Sequence, residues 1–308
     1  MNVREEKSRN IISLGQDGNA LVNLIVINAV VFALLKFVQV IYLLSSLSID
    51  KYYKNIFNWL ILPAEISKLG SRPWTVLTYM FTHQGFFHII ANMLWLWAFG
   101  YILQDMTGNR KLIPLYIYGG LVGALVYIIA YNLIPSFQPG LPFAILIGAN
   151  ASIMAVAVAT TTVSPDYRIF PMINGGIPLW LFTLVYVIIN FASVDAKDPG
   201  IYISHTAAAA LGFFFIYQLR KGNDWSEWMN NFFDWVDNLF NPNAKNKTKP
   251  LKDQLHYKVQ ASPPFKKTAN VTQKRIDEIL DKINQKGIHF LTDEERDILK
   301  RAANGDDL

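Results

Sequence analysis

Apolar residues along this chain gather in six runs, at residues 20–45, 86–106, 111–134, 141–163, 177–192 and 202–220. Residues 112–134 and 135–163 contain no charged side chain. A helix of about twenty apolar residues is long enough to cross a hydrocarbon core of ~30 Å. Inside that core a backbone must satisfy its own polar groups, which a helix does. The pattern predicts an all-α membrane protein with six transmembrane helices, the fifth being the shortest. The first run begins near Leu21 and continues to Leu44, too late and too long for a cleaved signal peptide. Residues 46–85 are too mixed to span. Trp59, Pro63 and the Pro73-Trp74 pair point instead to a loop in the membrane interface, where indole rings settle.

The character changes after Arg220. Trp225, Trp228, Phe232, Trp235 and Leu239 recur at helical spacing, with Asp224, Glu227, Asp234 and Asp237 between them. Residues 221–240 are thus an amphipathic juxtamembrane helix, lying on the membrane surface or packed against the cytoplasmic domain. Residues 241–270 form a polar linker containing Lys and Pro. Residues 271–308 read as a small helical hairpin. Ile276, Ile279, Leu280 and Ile283 share one face, Gly287 ends the first helix, and Thr292 with Glu295 is a capping box for the second. About thirty residues make a poor independent core, so docking to a partner or to the membrane domain is the expected source of its stability.

Composition agrees with a membrane chain: 52% of the 308 residues are hydrophobic and 17% charged. The absence of Cys excludes disulfides, thiolate catalysis and thiolate-bound metal. A net charge of +5 serves topology and points to no nucleic-acid partner. Arg4, Lys7 and Arg9 precede the first run, Arg110 and Lys111 divide the second from the third, and Arg220 and Lys221 follow the sixth. Lys51, Lys54, Lys68 and Arg72 in the first loop pull the other way. The balance places both termini, including residues 1–19, in the cytoplasm.

Polar side chains inside spans are costly and mark functional sites. His83 and His88 with Asn92, Asn150 with Ser152, Asn190, and His205 are such residues. His88 and Asn92 fall in the outer half of the second span, and His205 just under the outer surface. Asn150 lies nine residues, or ~14 Å, into a fourth helix starting near Leu141. Three helices would then present polar groups to one depth, which argues for a shared site. Asn190 has no evident partner and reads as a core hydrogen-bonder. His88 and Asn92, four apart on one face, could donate to an oxyanion or satisfy each other. The small residues from Thr206 to Gly212 allow close approach to the 148–151 segment. A metal held by His83, His88 and His205 would lack a nearby carboxylate, and no other cofactor is called for. A proton-coupled transporter would need mid-membrane ionisable groups, and Lys36 stands alone.

The motif from His83 through His88 and Asn92 to Trp97, followed by Phe99-Gly100, resembles the second-helix signature of rhomboid intramembrane serine proteases. Gly119-Gly120-Leu121-Val122-Gly123 is similar to the family's third helix. Gly148-Ala149-Asn150-Ala151 aligns with its Gly-x-Ser-Gly nucleophile motif, and residues 205–212 with its sixth helix. The terminal hairpin more weakly resembles a cytoplasmic domain appended to some bacterial rhomboids. The resemblance implies a six-transmembrane-helix rhomboid-like bundle, residues 20–220, with a small cytoplasmic helical tail domain, set in a bacterial inner membrane. It implies a Ser–His dyad with His205 as base, His88 and Asn92 as oxyanion donors, and transmembrane segments entering laterally from the lipid bilayer as substrates.

At the nucleophile position, however, stands Asn150, whose delocalised amide nitrogen forms no acyl-enzyme. Ala151 replaces the usual glycine. Ser152 is the remaining candidate nucleophile, yet two residues along an ideal helix turn it about 200° away from Asn150. A helix serine bonding a carbonyl one turn back is the plain alternative for it. Two readings follow. One is a pseudoprotease that recognises transmembrane helices without cutting them; the other is an active serine endopeptidase using Ser152 and His205.

Overall fold

The computed structural model describes residues 19–169, 175–194, 198–240 and 273–304. The chain forms two compact units, one up to Phe240 and a second from Asn241. The apolar helices of the first are α1 (Ala20–Leu44), α2 (Phe86–Thr107), α3 (Leu112–Leu133), α4 (Asn150–Val163), α5 (Leu179–Ala192) and α6 (Pro199–Arg220). The helices at α1, α2, α3 and α6 are long and apolar enough to cross a membrane. At 14 residues each, α4 and α5 are not.

The expected fourth helix from Leu141 is corrected. Residues Pro135–Gly140 form a 3-10 helix, and Ile145–Leu146 is a strand, β2, paired antiparallel with β1 at Leu62–Pro63. Pro139 and Pro142 each remove a backbone donor and disfavour helix before them, so the helix cannot begin until this stretch has passed. The apolar run is therefore turn, a two-residue strand and bend up to Ala149 and helix after it, and Asn150 is the first residue of α4 rather than its middle. A second two-residue ladder joins β3 (Arg168–Ile169) to β4 (Ile177–Pro178), so the fold is not wholly helical.

The first loop, expected in the interface, holds short helices at Ile49–Asn55, Ile66–Ser71 and Thr75–Thr78. Trp59 and Trp74 stack with ring centroids 5.9 Å apart, and the Trp74 indole donates to the Trp59 carbonyl. The segment that follows is fastened to α3. The Tyr79 hydroxyl donates to the Gly120 carbonyl at 2.7 Å, and the Tyr116 hydroxyl to the Met80 carbonyl at 2.8 Å. The Gly148 N–H donates to the Tyr79 carbonyl, which ties the entry of α4 to the entry of α2.

Small residues set the seams around α4. A Cβ on Gly119 would lie 2.5 Å from the Ala155 Cβ, one on Gly123 2.7 Å from the Ala151 Cβ, and one on Gly212 would collide with the Ala155 carbonyl. With no hydrophobic drive between helices in lipid, such close approach is what lets dispersion hold them. Between α2 and α5 the contact is bulky instead: Trp95 and Phe99 meet Phe182 and Tyr186, with Trp95–Tyr186 centroids 4.9 Å apart.

The amphipathic element is a helix, α7 (Glu227–Phe240). Its polar side docks on the α2–α3 connection, where Arg110 pairs with Asp234 at 3.4 Å and Asn230 donates to the Arg110 carbonyl. Just before it, Asp224 pairs with Lys111. Trp228 and Trp235 stay 61% and 57% exposed. All but Asn19 of the expected N-terminal segment 1–19, and the linker 241–270, lie outside the described residues.

The described residues of the second unit form two helices, α8 (Gln273–Lys286) and α9 (Asp293–Asn304). Gly287 takes φ +87°, a conformation that suits glycine, and ends α8. The capping box is present in both directions: Glu295 N–H donates to Thr292 Oγ1, and Thr292 N–H to the Glu295 carboxylate. The Lys282 ammonium, with the Thr292 N–H, holds that carboxyl down at about 2. Its core is Ile279, Leu291 and Ile298. Leu280, expected on the apolar face, is 49% exposed.

Candidate functional site

A cavity of about 370 Å³ opens between α2, α4, α5 and α6, walled above by Leu146 and Ile147. His88 and Asn92 face it from α2, Asn150 from the first turn of α4, Asn190 from α5 and His205 from α6. Trp95 and Tyr186 close its aromatic floor. The two α2 residues share a face because they are four apart.

Glycine at 148 makes the entry of α4 possible. Its φ is +89°, and a Cβ there would stand 2.7 Å from His88 Cε1. The bare backbone lets the His88 ring lie against the turn. From there the Asn150 side-chain nitrogen reaches His88 Nε2 at 3.3 Å. The residue at the nucleophile position is thus bonded to a candidate oxyanion donor. His205 stacks on Phe191, with the planes 6° apart and the centroids 6.5 Å apart. Its Nδ1 has no hydrogen-bond partner, and neither do Asn92 Nδ2 and Asn190 Oδ1. His205 is 2% exposed and Asn92 4%. Each unpaired buried polar atom costs roughly 1–3 kcal/mol, so these three, with the equally unpaired Tyr186 hydroxyl, are a sizeable expense left for a ligand or water to offset. His88 and Asn92, which could have satisfied each other, do not.

Ser152 lies elsewhere. It is fully buried on the far side of α4, where its Oγ contacts Met80 Sδ at 4.0 Å and would sit 2.7 Å from a Cβ on Gly120. It does not line the cavity. Ser193 does, but its hydroxyl donates to the Ile189 carbonyl one turn back. His83 also stays outside, its ring 5.2 Å from that of His88. Among the described residues no group of three or more His, Asp or Glu is placed to hold a metal.

Asn190, expected as a core hydrogen-bonder without an evident partner, instead lines the cavity with the other polar groups, its Oδ1 unpaired. Its spacing of four from Tyr186 was the available signal. Trp95, three residues beyond Asn92 on α2, carried a similar one.

Chemically the site offers an imidazole, several carboxamides and a second imidazole tied to one of them. Two hydroxyls line it: that of Ser193 is held by the Ile189 carbonyl, and the Tyr186 phenol is buried without a hydrogen-bond partner; no carboxylate lines it. Residues 70–222 match the Rhomboid domain family, and residues 265–304 a family of unknown function (DUF6576). Over 82 residues the chain is 32% identical to the inactive RHOMBOID-like protein 8 of Arabidopsis thaliana, covering 27% of this chain and 23% of that one. Over 226 residues it is 24% identical to the mitochondrial presenilin-associated rhomboid-like protein of Mus musculus, covering 72% and 54%. The Homo sapiens form of that protein is 24% identical over 161 residues, covering 51% and 40%. The chain spans between about a quarter and about half the length of these relatives.

Proposed function

Because this chain belongs to the rhomboid family and is an integral membrane protein, we propose that it is a pseudoprotease, which holds transmembrane helices at the α2–α5 cavity without cutting them. One observation carries this reading. The residue at the start of α4 is Asn150, bonded to His88, while the nearest hydroxyl along the helix, on Ser152, is turned to Met80. An amide nitrogen gives no acyl-enzyme, and among the described residues no hydroxyl is hydrogen-bonded to His205 Nδ1. The unpaired atoms of Asn92, Asn190 and His205 suit the backbone amides of a helix that frays as it enters.

We place all six helices in a membrane, with α4 and α5 spanning by virtue of the extended chain and ladders at their ends. We place the chain in a bacterial inner membrane on the resemblance alone, and Lys and Arg beside α3 and α6 favour both termini on the cytoplasmic side. The test uses the purified full chain in lipid vesicles with a labelled transmembrane helix. Binding without cleavage is expected. Asn150→Ser should introduce slow cleavage that His205→Ala removes. Cleavage by the native chain, abolished by both Ser152→Ala and His205→Ala, would overturn the reading in favour of an active endopeptidase.

A further inference from the structure

Lys36 is out of place in α1. Among the described residues of the six helices, it is the one charged side chain more than three residues from a helix end. The other two are Asp105, two residues from the end of α2, and Arg220, the last of α6. Lys36 stands eight residues before Leu44, roughly 12 Å inside the end of the helix at 1.5 Å per residue. Its surroundings are apolar: Leu34, Phe37 and Val40 are all exposed large hydrophobics of the kind that face lipid.

The fold satisfies this ammonium poorly. It donates to Gln39 Oε1 at 3.0 Å and lies 5.5 Å from the Phe32 ring centroid, and no carboxylate among the described residues is paired with it. A charge kept at membrane depth normally has a partner of opposite sign. The carboxylates at the ends of the neighbouring spans do not qualify. The start of α1 is bonded to Asn109 just past the end of α2, so Asp105 belongs to the opposite end of α1 from Lys36. Asp198, before α6, already accepts hydrogen bonds from Tyr127 and Tyr131. In a second, parallel copy those two carboxylates would stand at the same depths.

We infer that the Phe32–Lys36–Gln39 face of α1 docks a transmembrane helix of another protein, one carrying an Asp or Glu about 12 Å inside the same membrane face. The ammonium and carboxylate neutralise each other in the bilayer, Gln39 adds a hydrogen bond, and Val40 and Phe37 supply the packing. This surface is on α1, apart from the α2–α5 cavity, and does not depend on that cavity's function.

The test reconstitutes the full chain, donor-labelled, in phosphatidylcholine vesicles with acceptor-labelled synthetic leucine-rich helices. These peptides carry Asp at the matching depth, Asp nearer the other end, or Ala. Energy transfer should be several-fold greater with the matching Asp peptide than with either control. The difference between peptides isolates Lys36 from any binding at the cavity. Lys36→Met should bring the matching peptide to the Ala level, Lys36→Arg should retain its advantage, and Lys36→Asp should favour a peptide with Lys at that depth. Three results would overturn the inference. They are an Asp peptide no better than Ala, as when the ammonium simply reaches lipid phosphate; an advantage that survives Lys36→Met; or transfer between copies of the chain that Lys36→Met abolishes.

Discussion

On one side α4 meets α3 and α6 across seams with no spare room, and on the other it borders a cavity of about 370 Å³ rimmed by polar groups without partners. The closed side is built of Gly119, Gly123, Ala151, Ala155 and Gly212, so backbone lies almost on backbone. The open side is built of Asn92, Asn190, His205 and the bulky rings of Trp95 and Tyr186. Stability in lipid comes from the first kind of contact, where many small dispersion terms add up. The second kind costs stability, and a fold that keeps it has a use for it.

That division can be broken most severely at Gly212. A Cβ there would run into the Ala155 backbone, which cannot move aside as a side chain can. Gly212→Ala should cost about 3 kcal/mol by overpacking, read as a lower midpoint of SDS-induced unfolding. An unchanged midpoint would mean the α4–α6 seam is looser than its geometry.

Gly148→Ala strikes the junction of the two sides. The left-handed backbone disfavours a side chain by about 1–2 kcal/mol, and the added methyl must push His88 off the turn. The expected result is a loss of roughly 2 kcal/mol of stability together with loss of transmembrane-helix binding in the vesicle assay. Loss of stability with binding intact would separate the Asn150–His88 pair from ligand capture.

Asn92→Leu should separate stability from binding. Leucine has nearly the same shape and carries no donor to leave unpaired, so stability should hold or rise by about 1 kcal/mol while helix binding falls. A destabilised variant would show that Asn92 is satisfied by water in the resting protein.

The two sides were not equally legible in the sequence. The apolar runs that became α1, α2, α3 and α6 announce themselves, because a span of that length has few other uses. The start of α4 does not. An apolar stretch reads alike as strand or helix, and what makes Ile145–Leu146 extended is its pairing with Leu62–Pro63, more than eighty residues earlier. The convergence of His88, Asn92, Asn150 and His205 was legible in their motifs, whereas the depth given to Asn150 rested on a helix from Leu141 that does not form. Asn190 was missed because its membership depends on how α5 is rotated, and helix rotation is set by partners such as Trp95 and Phe182. In the hairpin, Gly287 and the Thr292–Glu295 box are local chemistry and were readable, whereas the outward turn of Leu280 is a packing outcome.

The mildest perturbation is Ser152→Ala, and its mildness is the point. Asn150 and Ser152 stand two residues apart on one helix, one facing the cavity and the other the closed side. The Ser152 hydroxyl touches only a thioether sulfur at 4.0 Å, a weak acceptor, so its removal should change stability by no more than about 1 kcal/mol. Helix binding at the cavity should be unchanged. The pair of substitutions therefore measures the two faces against each other. If Asn150→Ser alters the chemistry of the protein and Ser152→Ala alters nothing, the open side carries the function alone. If Ser152→Ala weakens binding instead, the closed side reaches the ligand through Met80 and the 79–82 segment, and the two faces act together.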